Sequence, residues 1–299
     1  MRGERPNFFA GPYIERRAEA REDPEWLAAA RADPATRYVI GQGSTQLLCS
    51  APEPHVALLG NDAPLLARAG PGELVLLGWF RGARCLLADL AASQALETPP
   101  GTHFEELRPL AAALPAEEAG LLAYARALAI WRARNRYCGA CGSRTRPTHA
   151  GHCLSCVNPQ CAQQVFPRLD PAIIVLVSDG ERALLGRQAS WPARRFSTIA
   201  GFVEPGESLE DAVLREVAEE SGVTVREVRY HSSQPWPFPS SVMLGFTARA
   251  TAGSPVTVNG ELEQAGWFTR AQVKSGEILA PPSQSISWRL IEGWLEGEV

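Results

Sequence analysis

Three glutamates stand at i, i+3 and i+4 in the run Arg215-Glu216-Val-Ala-Glu219-Glu220-Ser-Gly222. At about 100° per residue they fall within about 100° of arc on one helix face. Carboxylates at these spacings repel one another and destabilise a helix. A divalent cation over the arc relieves that repulsion. Hard oxygen donors select Mg2+ or Mn2+, which can also bridge phosphate oxygens. The plain alternative is a solvated acidic face, and Glu219-Glu220 alone would support nothing more.

A second group carries soft donors. Five of the seven cysteines fall between Cys138 and Cys161. Cys138-Gly-Ala-Cys141 is a CxxC knuckle, followed by Cys156 and then Cys161. Two thiolate pairs brought together by a hairpin suit tetrahedral zinc, and four protein ligands leave no open position for water. This metal is therefore assigned to folding. Cys153 replacing Cys161 is the alternative ligand set, and His152 is a spare nitrogen. Cys49 and Cys85 lie in apolar surroundings and read as small buried hydrophobes.

The elements that must position these groups can be read around them. Ser208 to Gly222 is a helix, with Ser208 as N-cap, Asp211 in the capping-box position and Gly222 as the stop. Val213 and Val217 sit beside the acid arc and can hold that helix on a sheet. Ala172 to Val177 reads as a buried strand, paired with Arg182 to Arg187. Further strands are expected at Thr198 to Phe202, Thr224 to His231, Val242 to Ala250 and Gln264 to Phe268, before a final amphipathic helix from about Ser285 to Glu296. Ahead of the cysteines, Arg37 to Ser50 reads as two strands about a Gly-Gln-Gly-Ser turn. Glu73 to Phe80 and Arg84 to Leu90 read as two more, and Glu117 to Arg136 as a helix. This is an α+β pattern without regular strand–helix alternation. The expected domains are 1–135, a ribbon at 136–168 and the acid-helix domain at 169–299.

The 299 residues carry 29 basic and 33 acidic side chains, a formal net charge of −4. Bulk electrostatics therefore do not favour nucleic acid or an anionic membrane, although Arg144, Arg146, Arg194 and Arg195 could form a local patch. Met1 to Tyr13 has no apolar signal core and no apolar run could span a bilayer, so a cytoplasmic location with no membrane partner is expected.

The string Gly201-x5-Glu207-x7-Arg215-Glu216-Val217-x-Glu219-Glu220-x-Gly222-Val223 resembles the Nudix box at every fixed position. Ser233-Gln-Pro-Trp-Pro-Phe-Pro-Ser-Ser241 is similar to the SQPWPFPxS element of the NADH pyrophosphatase family of Nudix hydrolases. The cysteine ribbon ahead of the box, joined by Phe166-Pro-Arg-Leu-Asp-Pro171, also matches that family. The resemblance implies a Nudix α/β/α sandwich with a zinc ribbon and an N-terminal α/β domain, assembled as a homodimer. It implies Glu216, Glu220 and the Ala200 carbonyl as ligands of Mg2+ or Mn2+, with Glu261 also meeting the metals. Glu219 becomes a further ligand or the base, Arg215 positions the carboxylates and Glu207 lies near the site. Substrate contacts map to Gln234, Pro235, Trp236, Pro237, Phe238, Pro239, Ser240 and Ser241, with Phe166, Phe202 and Ser287. The implied reaction converts NADH or NAD and water to NMN(H) and AMP. Two alternatives stand beside it: the same chemistry on NAD-capped RNA, and a non-enzymatic nucleotide-sensing or nucleic-acid-binding protein.

Overall fold

The structure is a computed structural model that describes residues 5–91, 96–251 and 256–298. It divides into two compact units. The N-terminal unit holds Phe9–Leu169 and Trp236–Ser240; the C-terminal unit holds Asp170–Pro235, Ser241–Val299 and the first residues up to Phe8. The ribbon thus shares a unit with the preceding fold. The main segment of the C-terminal unit begins at Asp170.

In the N-terminal unit, strands β1 (Ile14–Glu15), β2 (Arg37–Gln42), β3 (Thr45–Cys49), β4 (His55–Val56), β5 (Leu74–Phe80), β6 (Ala83–Leu90) and β7 (Thr102–Glu106) form one sheet. Its order is β1-β5-β6-β2-β3-β4, with β7 on β3, and β2 runs parallel to β6. Helix α1 (Pro24–Ala32), capped by Asp23 with Pro24 in its first turn, covers one face through Trp26, Leu27 and Ala30. After the short α2 (Leu107–Leu110), helix α3 (Ala116–Arg134) packs on β2, β3 and β4. The three ribbon strands follow: β8 (Thr145–Thr148), β9 (Cys153–Cys156) and β10 (Gln164–Val165), in the order β10-β9-β8.

In the C-terminal unit, β11 (Asp170–Ser178) runs parallel to β15 (Ser241–Ala250) and antiparallel to β12 (Arg182–Arg187) and β13 (Ile199–Phe202). Strands β14 (Val225–Trp236) and β16 (Gln264–Thr269) close the edges of the order β14-β15-β11-β12-β16. The continuous apolar run in β11 has a direct cause. Ile173, Val175 and Val177 pack with Val213 and Val217 of α4 (Leu209–Ser221). Ile174 and Leu176 point the other way, into a core shared with Leu290, Ile291 and Trp294 of α6 (Ile286–Glu296). The short α5 (Arg270–Lys274) follows β16. A strand covered on both faces needs no polar alternation, and the helix–sheet–helix layering is the α/β/α sandwich implied by the resemblance.

Strand β14 runs to Trp236, five residues past the expected end, and includes Pro235. Because β14 is an edge strand, the missing proline N–H removes no central ladder bond. Among the described residues no helix is long and apolar enough to cross a membrane.

Candidate active site

Helix α4 is held by the local signals that its sequence carries. The Ser208 hydroxyl accepts from the Asp211 N–H at 3.1 Å and Asp211 reaches back to the Ser208 N–H, closing a capping box. Gly222 ends the helix in the left-handed region at φ 69°, a conformation that costs glycine little. Ala212, Val213 and Val217 are buried beneath it, so the next turn's carboxylates are fixed relative to β11 and β13.

Arg215 organises the anionic side. Its Nε and Nη2 donate to the two Glu207 oxygens at 2.6 and 2.9 Å, while Nη2 also donates to the Phe202 carbonyl at 2.9 Å. Its Nη1 meets Glu216 Oε1 and Glu219 Oε2, each at 3.0 Å. Those hydrogen bonds, joined by one from the Glu204 N–H, hold the Glu207 carboxyl down at about 2. Arg215 itself is driven further up by the same contact with Glu207.

Glu216 and Glu220 are buried beneath this pair, at 7% and 3% exposure. Burial raises the Glu216 carboxyl, and the Arg215 contact only partly offsets it. The Glu220 carboxyl is pushed up to about 8 by burial and by the charges of Glu261 and Glu216; a hydrogen bond from the Ala200 backbone works in the opposite sense. Glu261, 61 positions from Ala200 in the chain, therefore shares the electrostatic environment of the two helix glutamates. Gly201 in β13 gives Glu216 its space, because a Cβ there would run into the carboxylate. Glu219 differs: its side chain is 54% exposed and, among the described residues, is held by Arg215.

This donor set fits a hard divalent cation. All donors are oxygens, and the carboxylates outnumber the single guanidinium that meets them. Burial penalises Glu216 and Glu220 as anions, and a cation would reverse that penalty. The carboxylates are less tightly gathered than the cysteines. Among the described residues, Cys138, Cys141, Cys156 and Cys161 are the only group of three or more potential ligands whose donor atoms all lie within 4.8 Å of one another. Cys138 and Cys161 are 3.8 Å apart, and Cys141 and Cys156 3.5 Å. Cys153 is buried outside the cluster, near the Ser155 hydroxyl, and His152 turns away to the Leu76 carbonyl at 2.6 Å.

The expected substrate contacts separate into distinct settings. Gln234 is fully buried. Its amide donates to the carbonyls of Phe8 and Gln284 at 3.1 and 2.8 Å and accepts from the Ile286 N–H at 2.8 Å. These bonds fasten β14 to the start of α6, so the Gln234 amide clamps three backbone groups. The Ser287 side chain is likewise turned inward, onto Ser197 Oγ at 2.8 Å and Thr198 Oγ1 at 2.9 Å. Trp236, Phe238 and Phe9 form an edge-to-face aromatic cluster, with Arg108 4.9 Å from the Phe238 ring centre. Arg126 donates to the Pro237 carbonyl at 3.1 Å. Pro235 is exposed, Pro239 and Ser240 are half-buried, and Ser241 is buried at the start of β15. Phe166 and Phe202 are exposed, each in its own unit. Sequence reasoning had no role for Asn7, which donates to the Ser233 carbonyl at 2.7 Å and is buried beside the clamp; nothing local to its charged surroundings marks it.

Three family descriptions match consecutive parts of the chain: a NADH pyrophosphatase-like rudimentary NUDIX domain at residues 36–131, a NADH pyrophosphatase zinc ribbon domain at 133–166 and a NUDIX domain at 168–290. The NAD-capped RNA hydrolase NudC of Mycobacterium bovis is 40% identical over 90% of this chain and 87% of its own length. The NAD-capped RNA hydrolase NUDT12 of Macaca fascicularis is 32% identical over 97% of this chain and 73% of its own. The buried glutamates of α4, the four-cysteine ribbon and these matches along the chain lead to one assignment: it belongs to the zinc-ribbon NADH pyrophosphatase family of Nudix hydrolases.

Proposed function

We propose that this hydrolase cleaves the pyrophosphate bond of NADH or NAD, giving NMN(H) and AMP. The observation that carries the reading is the pair of buried carboxyls, Glu216 and Glu220, under β13 with Glu261 acting on both. Glu216, Glu220, Glu261 and the Ala200 carbonyl would hold Mg2+ or Mn2+. Such an ion, when bound, neutralises the diphosphate and acidifies water. Glu219, exposed and paired with Arg215, would accept the proton of the attacking water, with Glu261 as the alternative base. Arg215 keeps Glu219 and Glu216 oriented and, through Glu207, ties the helix to the loop that precedes it. Trp236 and Phe238 offer aromatic faces for a base or nicotinamide ring. The four clustered cysteines would hold a structural Zn2+. The enzyme is expected to work in the cytoplasm as a homodimer.

The names of the relatives favour a second substrate of the same chemistry, the NAD cap of an RNA 5′ end. A product assay with NADH, NAD, ADP-ribose and NAD-capped RNA, with and without Mg2+ or Mn2+, tests both. AMP with NMN(H), formed only with the metal, is expected from NADH or NAD. Its absence from every substrate would refute the reading.

A further inference from the structure

Residues 5–9 form neither helix nor strand, yet their contacts end on the segment at 232–238. Within the C-terminal unit, the Asn7 amide donates to the Ser233 carbonyl at 2.7 Å and to Ser232 Oγ at 3.0 Å. Its oxygen accepts from Arg289 Nη1 of α6 at 3.1 Å, and Arg289 also holds the Arg5 carbonyl. The Phe8 carbonyl accepts from Gln234 at 3.1 Å. Asn7 is buried, so both of its amide hydrogens are committed to this one stretch of β14, an edge strand.

Within the N-terminal unit, Phe9 meets Trp236 and Phe238 edge to face, with ring centres 6.2 and 5.9 Å apart. Those two rings meet each other at 5.3 Å. Phe9 is buried at φ 67°, a left-handed conformation that a bulky side chain seldom adopts. Such a conformation persists only where its surroundings over-determine it. Gly120, in the interior of α3, leaves room for it: a Cβ there would stand 3.4 Å from the Phe9 carbonyl. A glycine inside a helix weakens that helix, and here it lies where the Phe9 backbone comes close.

We propose that Asn7 and Phe9 are positioning residues for dinucleotide binding. The strap Asn7-Phe8-Phe9 sets the backbone at Ser233 and Gln234 and the ring planes of Trp236 and Phe238 before a base or nicotinamide ring arrives. This role rests on the function proposed above, in which those aromatics receive the ring. A binding segment fixed in advance spares the ligand the entropy of ordering it, so the strap acts on affinity. Helix α4 and its carboxylates are held separately, by their own cap and core, so the chemical step and the metal response should be spared.

The test uses the full, zinc-loaded chain and two variants, Asn7→Ala, which removes the amide, and Phe9→Leu, which keeps an apolar side chain but removes the ring. Each should raise KM for NADH by about tenfold or more, with kcat within about threefold of the wild type and the Mn2+ concentration for half-activation unchanged. A purely structural role would lower the melting temperature without this split. Titration of NADH by its own fluorescence, without divalent metal, should show the same fold-loss in Kd and reads binding independently of hydrolysis. If both variants fold poorly, hydrogen–deuterium exchange of the wild type decides: NADH without metal should slow exchange at 6–13 together with 232–240. Slowing at 232–240 alone, folded variants whose KM and Kd match the wild type, or a loss that falls on kcat and the Mn2+ response would overturn the proposal while leaving the hydrolase reading in place. A wild type that neither binds nor hydrolyses NADH would remove the proposed function, and the role of the strap with it.

Discussion

Arg215 divides one guanidinium among Glu207, Glu216, Glu219 and the Phe202 carbonyl, and so fixes the side chains that flank the buried acids. Glycine at 201 is the matching requirement on the strand side. Gly201→Ala places a methyl group against the Glu216 carboxylate. It should lower turnover by about tenfold or more and weaken activation by Mn2+, since small displacements of a catalytic group are costly; metal titration of the activity checks this. Gln234 calls for the opposite outcome. Its amide joins three backbone groups in the interior, and removing a buried hydrogen-bonding side chain costs about 1–3 kcal/mol. Gln234→Ala should therefore lower the melting temperature clearly, whereas Trp236→Ala should mainly raise KM for NADH. Thermal melts run beside kinetics on both variants separate the roles. The residue types at 216, 219 and 220 made the metal chemistry legible. The direction of Gln234 was not legible, because its partners Phe8, Gln284 and Ile286 come together only in the folded chain.

Elements governed by local signals follow the sequence closely. The cap, capping box and glycine stop of α4 lie at Ser208, Asp211 and Gly222, where the residue types place them. Strand β14 was harder to bound, because Pro235 reads as an interruption and is tolerated only at a sheet edge. The ribbon strands carry a further dependence through His152, which burial lowers to about 4 while its bond to the Leu76 carbonyl works the other way. A folded-state pKa below the ordinary 6.5 means that neutral His152 contributes its full stability above pH 6.5. That contribution is lost as the pH falls from 6.5 towards 4, up to about 3 kcal/mol for the whole shift. His152→Gln keeps a donor but cannot titrate, so the wild type should lose more stability than the variant between pH 7 and pH 5. Equal losses in denaturant melts would contradict this.

At the scale of the molecule, the ribbon shares a compact unit with the preceding sheet. Arg132 donates to the Gly72 carbonyl and, at 3.5 Å, to that of Gly151, while His152 bonds Leu76. Losing the zinc should therefore destabilise more than the ribbon. Cys161→Ser should release zinc and lower the melting temperature, and Cys153→Ser, outside the cluster, should do neither; metal analysis with melts reads both. The cysteine spacing left 153 and 161 as alternatives, which only the hairpin geometry separates. The joining of residues up to Phe8 to the C-terminal unit had no sequence signal, since its bonds span more than 220 positions. The central claim is that charge on Glu216 and Glu220 drives hydrolysis of the dinucleotide. The direct measurement is AMP release from NADH, with and without Mn2+, by the wild type, Glu216→Gln and Glu220→Gln. These isosteric changes remove the charge while relieving like-charge repulsion on α4. The wild type should release AMP and NMNH only with metal, and each variant should be slower by about three orders of magnitude or more while staying folded. A folded Glu220→Gln variant that hydrolyses NADH at the wild-type rate, with the same response to metal, would contradict the account.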